Sequence, residues 1–157
     1  MNNKHSEKYV FRLKTKKGVL REVKKHSTNN NYEACGIILG EDNYPEYKAV
    51  EVIRSDNIEK SSLSFEVDPD SFIEAHKKAN KHGIEVIGFY HSHLSGDCAP
   101  SKKDKKGMKR WPDHVWLISA SKDKNIEMEK EKDEIDLNFS AYMYTQNRYS
   151  DVEIVKI

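Results

Sequence analysis

Ten residues, IEVIGFYHSH at 84–93, restrict what this chain can become more than any other stretch. The run is apolar up to Tyr90 apart from Glu85, and it reads as a buried strand leading into two histidines. Its flanks supply the punctuation. DPDSFIEAHKKANKHG (68–83) is a helix, with Asp68 or Asp70 as cap, Pro69 in the first turn and Gly83 as the stop. Downstream, SKKDKKGMKR (101–110) reads as a short helix and DHVWLISAS (113–121) as another strand.

The rest of the chain continues the alternation. Strands are expected at YVFRLKTK (9–16), ACGIILGE (34–41), EYKAVEVIRSDNI (46–58), SLSFEV (62–67), FSAYMYTQ (139–146) and VEIVKI (152–157). A helix is expected at GVLREVKKHS (18–27), ended by NNN at 29–31, while KNIEMEKEKDEI is too charged to be central. Strands outnumber helices and several neighbours lie at hairpin spacing, which predicts an α/β or α+β sheet domain of mixed strand order. At 157 residues the chain is expected to form a single domain spanning 1–157.

Composition narrows the function classes. Charged residues make up 34% and mean hydropathy is −0.87, yet the apolar residues are grouped in blocks such as CGIILG and VWLISA, the pattern of a folded chain. A formal net charge of +1 gives no electrostatic argument for nucleic acid or a membrane. No apolar run approaches a membrane span, MNNKHSEKYV lacks a signal-peptide core, and two cysteines make no disulfide framework, so a cytoplasmic protein with reduced thiols is expected.

Residues two apart on a strand share a face, so His91 and His93 can aim both imidazoles at one point. Catalytic zinc takes three protein ligands and keeps a fourth position open. Asp104 is the natural third donor, because Pro100 and Ser101 read as a helix start with Ser101 as N-cap and Asp104 in the first turn. Alone, His-Ser-His is an ordinary polar loop and Ser-x-x-Asp an ordinary cap. Their combination at fixed spacing after a strand is what points to a metal.

His-Ser-His, seven residues and then Ser-x-x-Asp resembles the JAMM motif of the MPN-domain zinc metalloproteases. Glu33-Ala-Cys-Gly-Ile-Ile-Leu-Gly40 resembles the family's upstream glutamate segment, and FEVDPDSF, GFYHSH and WPDHVWLIS extend the similarity over roughly residues 18–146. The resemblance is closest to small prokaryotic members made of the bare domain. It implies a mixed, mostly antiparallel sheet flanked by a few helices, resembling the cytidine-deaminase-like architecture. It also implies one catalytic Zn2+ held by His91, His93 and Asp104. Glu33 would deprotonate the zinc-bound water and return the proton to the leaving amine, and Ser101 would donate a hydrogen bond to the oxyanion.

The activity so implied is isopeptide or peptide cleavage after the C-terminal tail of a ubiquitin-like modifier, including those of antiphage operons, or of a sulfur-carrier protein bearing an adduct. Two alternatives stand beside it: a non-catalytic MPN-type binding module, and a DNA-associated RadC-like relative, which the loop SGDCAP resembles. The first would be expected to have lost a ligand or the glutamate; the second lacks the Glu-x-Cys-Gly segment at this spacing. The chain departs from the family at Leu94, where proline is usual, and this is expected to alter loop shape or substrate contacts. Cys98 is expected to pack the loop and Cys35 the core, and Trp111 and Trp116 to line core or groove. His5, His26, His76, His82 and His114 are expected at the surface. Lys102, Lys103, Lys105, Lys106 and Lys109 are expected on a solvated helix face able to attract an acidic protein substrate. A substrate tail is expected to add beside residues 46–67 as a candidate sheet edge.

Overall fold

The structure, a computed structural model, describes residues 10–28, 32–60, 66–94, 97–121 and 137–157. Seven strands and three helices follow in the order β1 (Phe11–Thr15), α1 (Lys17–Thr28), β2 (Cys35–Asn43), β3 (Glu46–Ser55), α2 (Pro69–His82), β4 (Glu85–His93), α3 (Lys102–Arg110), β5 (Val115–Ser121), β6 (Leu137–Thr145) and β7 (Arg148–Lys156). The expected strand at 62–67 falls mostly outside the described residues. What is described there is Glu66, whose carbonyl accepts from the Ile58 amide, and Val67, bridged to Asn57. The charged segment KNIEMEKEKDEI also lies outside them.

The strands close into a barrel in the order β1-β3-β2-β4-β5-β6-β7, with β7 returning to β1. Hairpin neighbours β2–β3 and β6–β7 pair antiparallel, as do β2–β4 and β5–β6. Pairs β1–β3, β1–β7 and β4–β5 are parallel. The sheet is therefore mixed with antiparallel pairs in the majority. Closure changes the expectation for residues 46–67. Glu46–Ala49 of β3 is flanked by β1 as well as β2, so only Val50–Ser55 keeps one side without a strand partner among the described residues.

Successive residues of the central strands face opposite ways, and each face has its own cluster. Tyr90, Ile38 and Leu117 join Leu13, Tyr47, Met143 and the apolar stripe of α1, Val19, Leu20 and Val23. Phe89, Ile37, Leu39 and Trp116 face the other way, under Ala75 and Ala79 of α2 and Met108 of α3. Gly36 is required by this packing. A Cβ on Gly36 would stand 2.2 Å from the Tyr90 ring and 2.5 Å from the Ile53 carbonyl oxygen. The ring of Tyr90 thus crosses the strand next to it, and its hydroxyl reaches His26 Nδ1 at 2.7 Å. His26 is accordingly not a surface residue, as the sequence suggests, but a half-buried one on the side of α1 that meets Tyr90.

Helix punctuation follows the residue chemistry. Asp68 caps α2 by accepting from the Asp70 amide, and Gly83 ends it in the left-handed region at φ 67°. The parallel pairing of β4 with β5 needs a crossover between them, and α3 is that crossover. Among the described residues no helix is long and apolar enough to cross a membrane.

Candidate metal centre

β4 is buried along most of its length and ends at His93, so its last residues emerge where the barrel wall stops. His91 and His93 point to one face. Their Nε2 atoms lie 3.2 Å apart. Ser101 caps α3 by accepting from the Asp104 amide at 3.0 Å, and the Asp104 carboxylate accepts in return from the Ser101 amide at 2.9 Å. This reciprocal box fixes Asp104 in the first turn and turns its carboxylate back toward β4. Oδ1 lies 3.1 Å from His91 Nε2 and Oδ2 lies 3.0 Å from His93 Nε2. Glu33 enters from the segment just before β2, 3% exposed, with Oε1 3.9 Å from His93 Nε2.

These distances test the site for a metal. Donors on one tetrahedral zinc, each about 2.0–2.1 Å from it, stand about 3.3 Å apart. The two imidazoles and Asp104 meet that spacing with one another. Glu33, His91 and His93 also offer donor atoms within 4.8 Å of one another, but the glutamate is the outlying member of the four. Its second oxygen, Oε2, is buried and has no hydrogen-bond partner among the described residues, the condition of a group shaped to meet something else. His93 Nδ1 lies 2.6 Å from the Asp97 carbonyl oxygen, to which it donates, and this orients the ring so that Nε2 is the nitrogen turned to the site. The donor set fits zinc.

The electrostatics agree. Burial raises the Glu33 carboxyl to about 7, with the Asp104 and Glu59 charges adding to the effect and His93 and Lys103 opposing it. Burial holds His91 below the ordinary histidine value, hence neutral. For His93 burial acts downward, but the hydrogen bonds to Asp104 and Asp97 outweigh it and the group is raised. Asp104 lies well below the usual carboxylate range; burial acts against this, and hydrogen bonds from His91 and His93 overcome it. Two carboxylates and two imidazoles in a dry recess favour a bound positive charge.

All five site residues expected from the sequence, Glu33, His91, His93, Ser101 and Asp104, are thus brought to one end of the barrel. Leu94 is 40% exposed beside them. Cys98 does not face the donors: its thiol lies 3.3 Å from the Asn138 carbonyl oxygen and ties the loop to β6. Lys103 departs from a purely solvated face by pairing with Glu59, Nζ 2.8 and 2.9 Å from its two oxygens. Trp116 is buried, whereas Trp111 is 41% exposed, in an aromatic group with Phe72, Phe89 and His114. Sequence reasoning gave no role to Asp97, Ser92 or Asn57. A backbone carbonyl leaves no mark in a sequence, and a serine between histidines or an asparagine after a strand is too common to stand out.

Comparison with known proteins completes the picture. Residues 15–132 match the family of prokaryotic homologs of the JAB domain. A desampylase of Pyrococcus furiosus is 36% identical over 103 residues, covering 66% of this chain and 70% of the relative. A desampylase of Haloferax volcanii is 28% identical over 88 residues, covering 56% of this chain and 62% of the relative. In fold, the chain is similar to a Desulfitobacterium hafniense protein, with a TM-score of 0.75, 22% identity and 92% of each chain covered. A Salinibacter ruber protein gives a TM-score of 0.65 at 20% identity, over 92% of this chain and 91% of that one.

Proposed function

Because this chain belongs to the family of prokaryotic homologs of the JAB domain, we propose that it is a zinc-dependent isopeptidase, cleaving after the C-terminal tail of a ubiquitin-like modifier or of a sulfur-carrier protein. One observation carries the reading. The Asp104 carboxylate and two imidazole nitrogens converge at 3.0–3.2 Å beside a buried glutamate with an unpartnered oxygen. The desampylase names of two relatives support the substrate class.

In this reading His91, His93 and Asp104 hold the ion. Bound there, zinc supplies Lewis acidity and brings the pKa of water from about 15.7 toward about 7. Glu33 is not a ligand but the general base. Its nearer oxygen stands 3.9 Å from His93 Nε2, wider than the spacing of donors on one ion, and its carboxyl, raised to about 7, is suited both to take a proton from an attacking water and to return it to the leaving amine. The Ser101 hydroxyl already accepts one hydrogen bond, from the Asp104 amide, so its own proton is free to be donated to the oxyanion that forms at the scissile carbonyl. The capping box makes one serine serve the helix and the reaction together.

The test is incubation with modifier–peptide fusions, with and without a chelator, alongside Glu33→Gln. Cleavage is expected from the zinc-loaded protein, is abolished by the chelator, and falls at least about 100-fold in Glu33→Gln, the lower end of what a general base contributes. Full cleavage by Glu33→Gln, or fresh protein holding far less than one zinc per chain, refutes the mechanism.

A further inference from the structure

Glu33 lies outside the ladder of β2, which starts at Cys35, yet a general base must be held to within a fraction of an ångström. What holds it is visible one peptide group away. Across from it, the Ser92 amide donates to the Ala34 carbonyl at 2.9 Å, as in a continuing antiparallel pair. The reciprocal bond is different. The Ala34 amide donates not to a backbone carbonyl but to Ser92 Oγ, at 2.8 Å and buried. On the other side of the same peptide group, the Glu33 carbonyl accepts from Asn57 Nδ2 at 3.0 Å, also buried. Both side chains are 2% exposed. Carbonyl and amide of the Glu33–Ala34 peptide are therefore gripped by two side chains from two different segments, the end of β4 and the turn after β3.

Asn57 has a further task. Its Oδ1 accepts from the amides of Glu59 at 3.1 Å and Glu66 at 2.9 Å, and its backbone bridges to Val67. One asparagine thus couples the base of the 57–66 segment to the glutamate. Ser92 stands between the two histidines, so the same hydroxyl couples the glutamate to the strand that carries them.

We propose that Ser92 and Asn57 are positioning residues that clamp the Glu33–Ala34 peptide and set the glutamate carboxylate against the histidine pair. The inference rests on the reading of Glu33 as the base. The Ser92 hydroxyl and the Asn57 carboxamide both bind backbone groups. Their removal is therefore a defect of aim, lowering turnover without loosening the ion or the substrate.

The experiment uses the full zinc-loaded chain with Ser92→Ala, Ser92→Thr and Asn57→Asp. Amide hydrogen exchange is read first. In Ser92→Ala the Ala34 amide is expected to exchange at least about tenfold faster, while that of Leu117 in β5 is unchanged. On a modifier fusion, kcat of Ser92→Ala and Asn57→Asp is expected to fall about 10- to 100-fold, the size of effect that misplacement produces. KM is expected to stay within about twofold and zinc affinity within about threefold, a pattern that general weakening of the fold does not give. Ser92→Thr, which keeps the hydroxyl, recovers most of the lost kcat. Asn57→Asp keeps the Oδ1 acceptor for the Glu59 and Glu66 amides, loses the Nδ2 donor to the Glu33 carbonyl, and decides the same question if Ser92→Ala does not fold. Unchanged exchange at Ala34, wild-type kcat in the variants, or zinc affinity falling in step with kcat overturns the proposal. If the wild-type chain cleaves nothing, the isopeptidase reading fails, and the exchange measurement still decides whether the peptide is held.

Discussion

Ser101 has one duty in this structure and a second in the proposed reaction, and the two can be separated by magnitude. As N-cap it accepts from the Asp104 amide at 3.0 Å; as proposed oxyanion donor it uses its hydroxyl proton. Ser101→Ala removes both. The capping loss is bounded, because the other half of the box, the Ser101 amide on Asp104 Oδ2, involves only backbone on the serine side and survives. Of the roughly 0.5–2 kcal/mol that a cap contributes, about 1 kcal/mol is therefore expected to go. For a chain of this length that lowers Tm by about 2–4 °C. Loss of the oxyanion donor is larger, about 2.7–4 kcal/mol in the transition state, or roughly 100- to 1000-fold in kcat. Thermal unfolding, zinc content by elemental analysis, and kcat on a modifier fusion read the three quantities in one preparation. A kcat within tenfold of wild type, with Tm lowered as expected, refutes the oxyanion role and leaves Ser101 a cap. A Tm drop above about 10 °C with zinc lost refutes the surviving half of the box.

Two further predictions concern the scaffold. In Gly36→Ala the new methyl meets the Tyr90 ring and the Ile53 carbonyl oxygen. Backbone cannot yield as a side chain can, so overpacking near its upper range of about 3 kcal/mol is expected, together with about 1 kcal/mol from a disturbed Tyr90–His26 bond. Tm falls by about 10 °C, and a fall under about 2 °C contradicts the packing described. The second is pH dependence. Burial, with the Arg54 charge next and Glu22 and Asp56 opposing, holds His26 at about 4 against an ordinary 6.5. The unfolded chain then binds the extra proton first, so this contribution is complete above about pH 6.5 and is lost as pH falls toward about 4. Partial exposure discounts it to about 1–3 kcal/mol. Denaturant unfolding of the metal-free protein between those pH values should show a shallower decline in His26→Gln than in wild type, and parallel curves would refute the assignment.

How much of this was legible follows from how local each feature is. His91 and His93 share a face because they are two apart on a strand, and Asp104 turns back because Ser101 caps its helix; both rules act within a few residues. Glu33 is different. Nothing near it marks it, and only the family resemblance brought it to the histidines, since the nearest ladder pair, Cys35 with His91, joins residues far apart in the chain. Ser92 and Asn57 were illegible for a stronger reason: a hydroxyl or carboxamide becomes a clamp only through the partner that folding presents to it. His26 looked like a surface residue because its tyrosine partner belongs to a strand 64 residues away. Barrel closure was hidden for the same reason, as no short-range pattern says that the first strand will meet the last.

That closure bears on how the molecule assembles. Phe11 of β1 pairs with Val152 of β7, almost the full length of the chain apart, whereas the three donors proposed for zinc lie between residues 91 and 104. Loop-closure entropy grows with separation, so the crossover from β4 through α3 to β5 is inexpensive to form and the ring seam is costly. The ion site can therefore exist in a chain whose first and last strands have not yet met. Metal bound at that stage would act as a folding nucleus, and fraying of the β1–β7 seam would leave the chemistry in place.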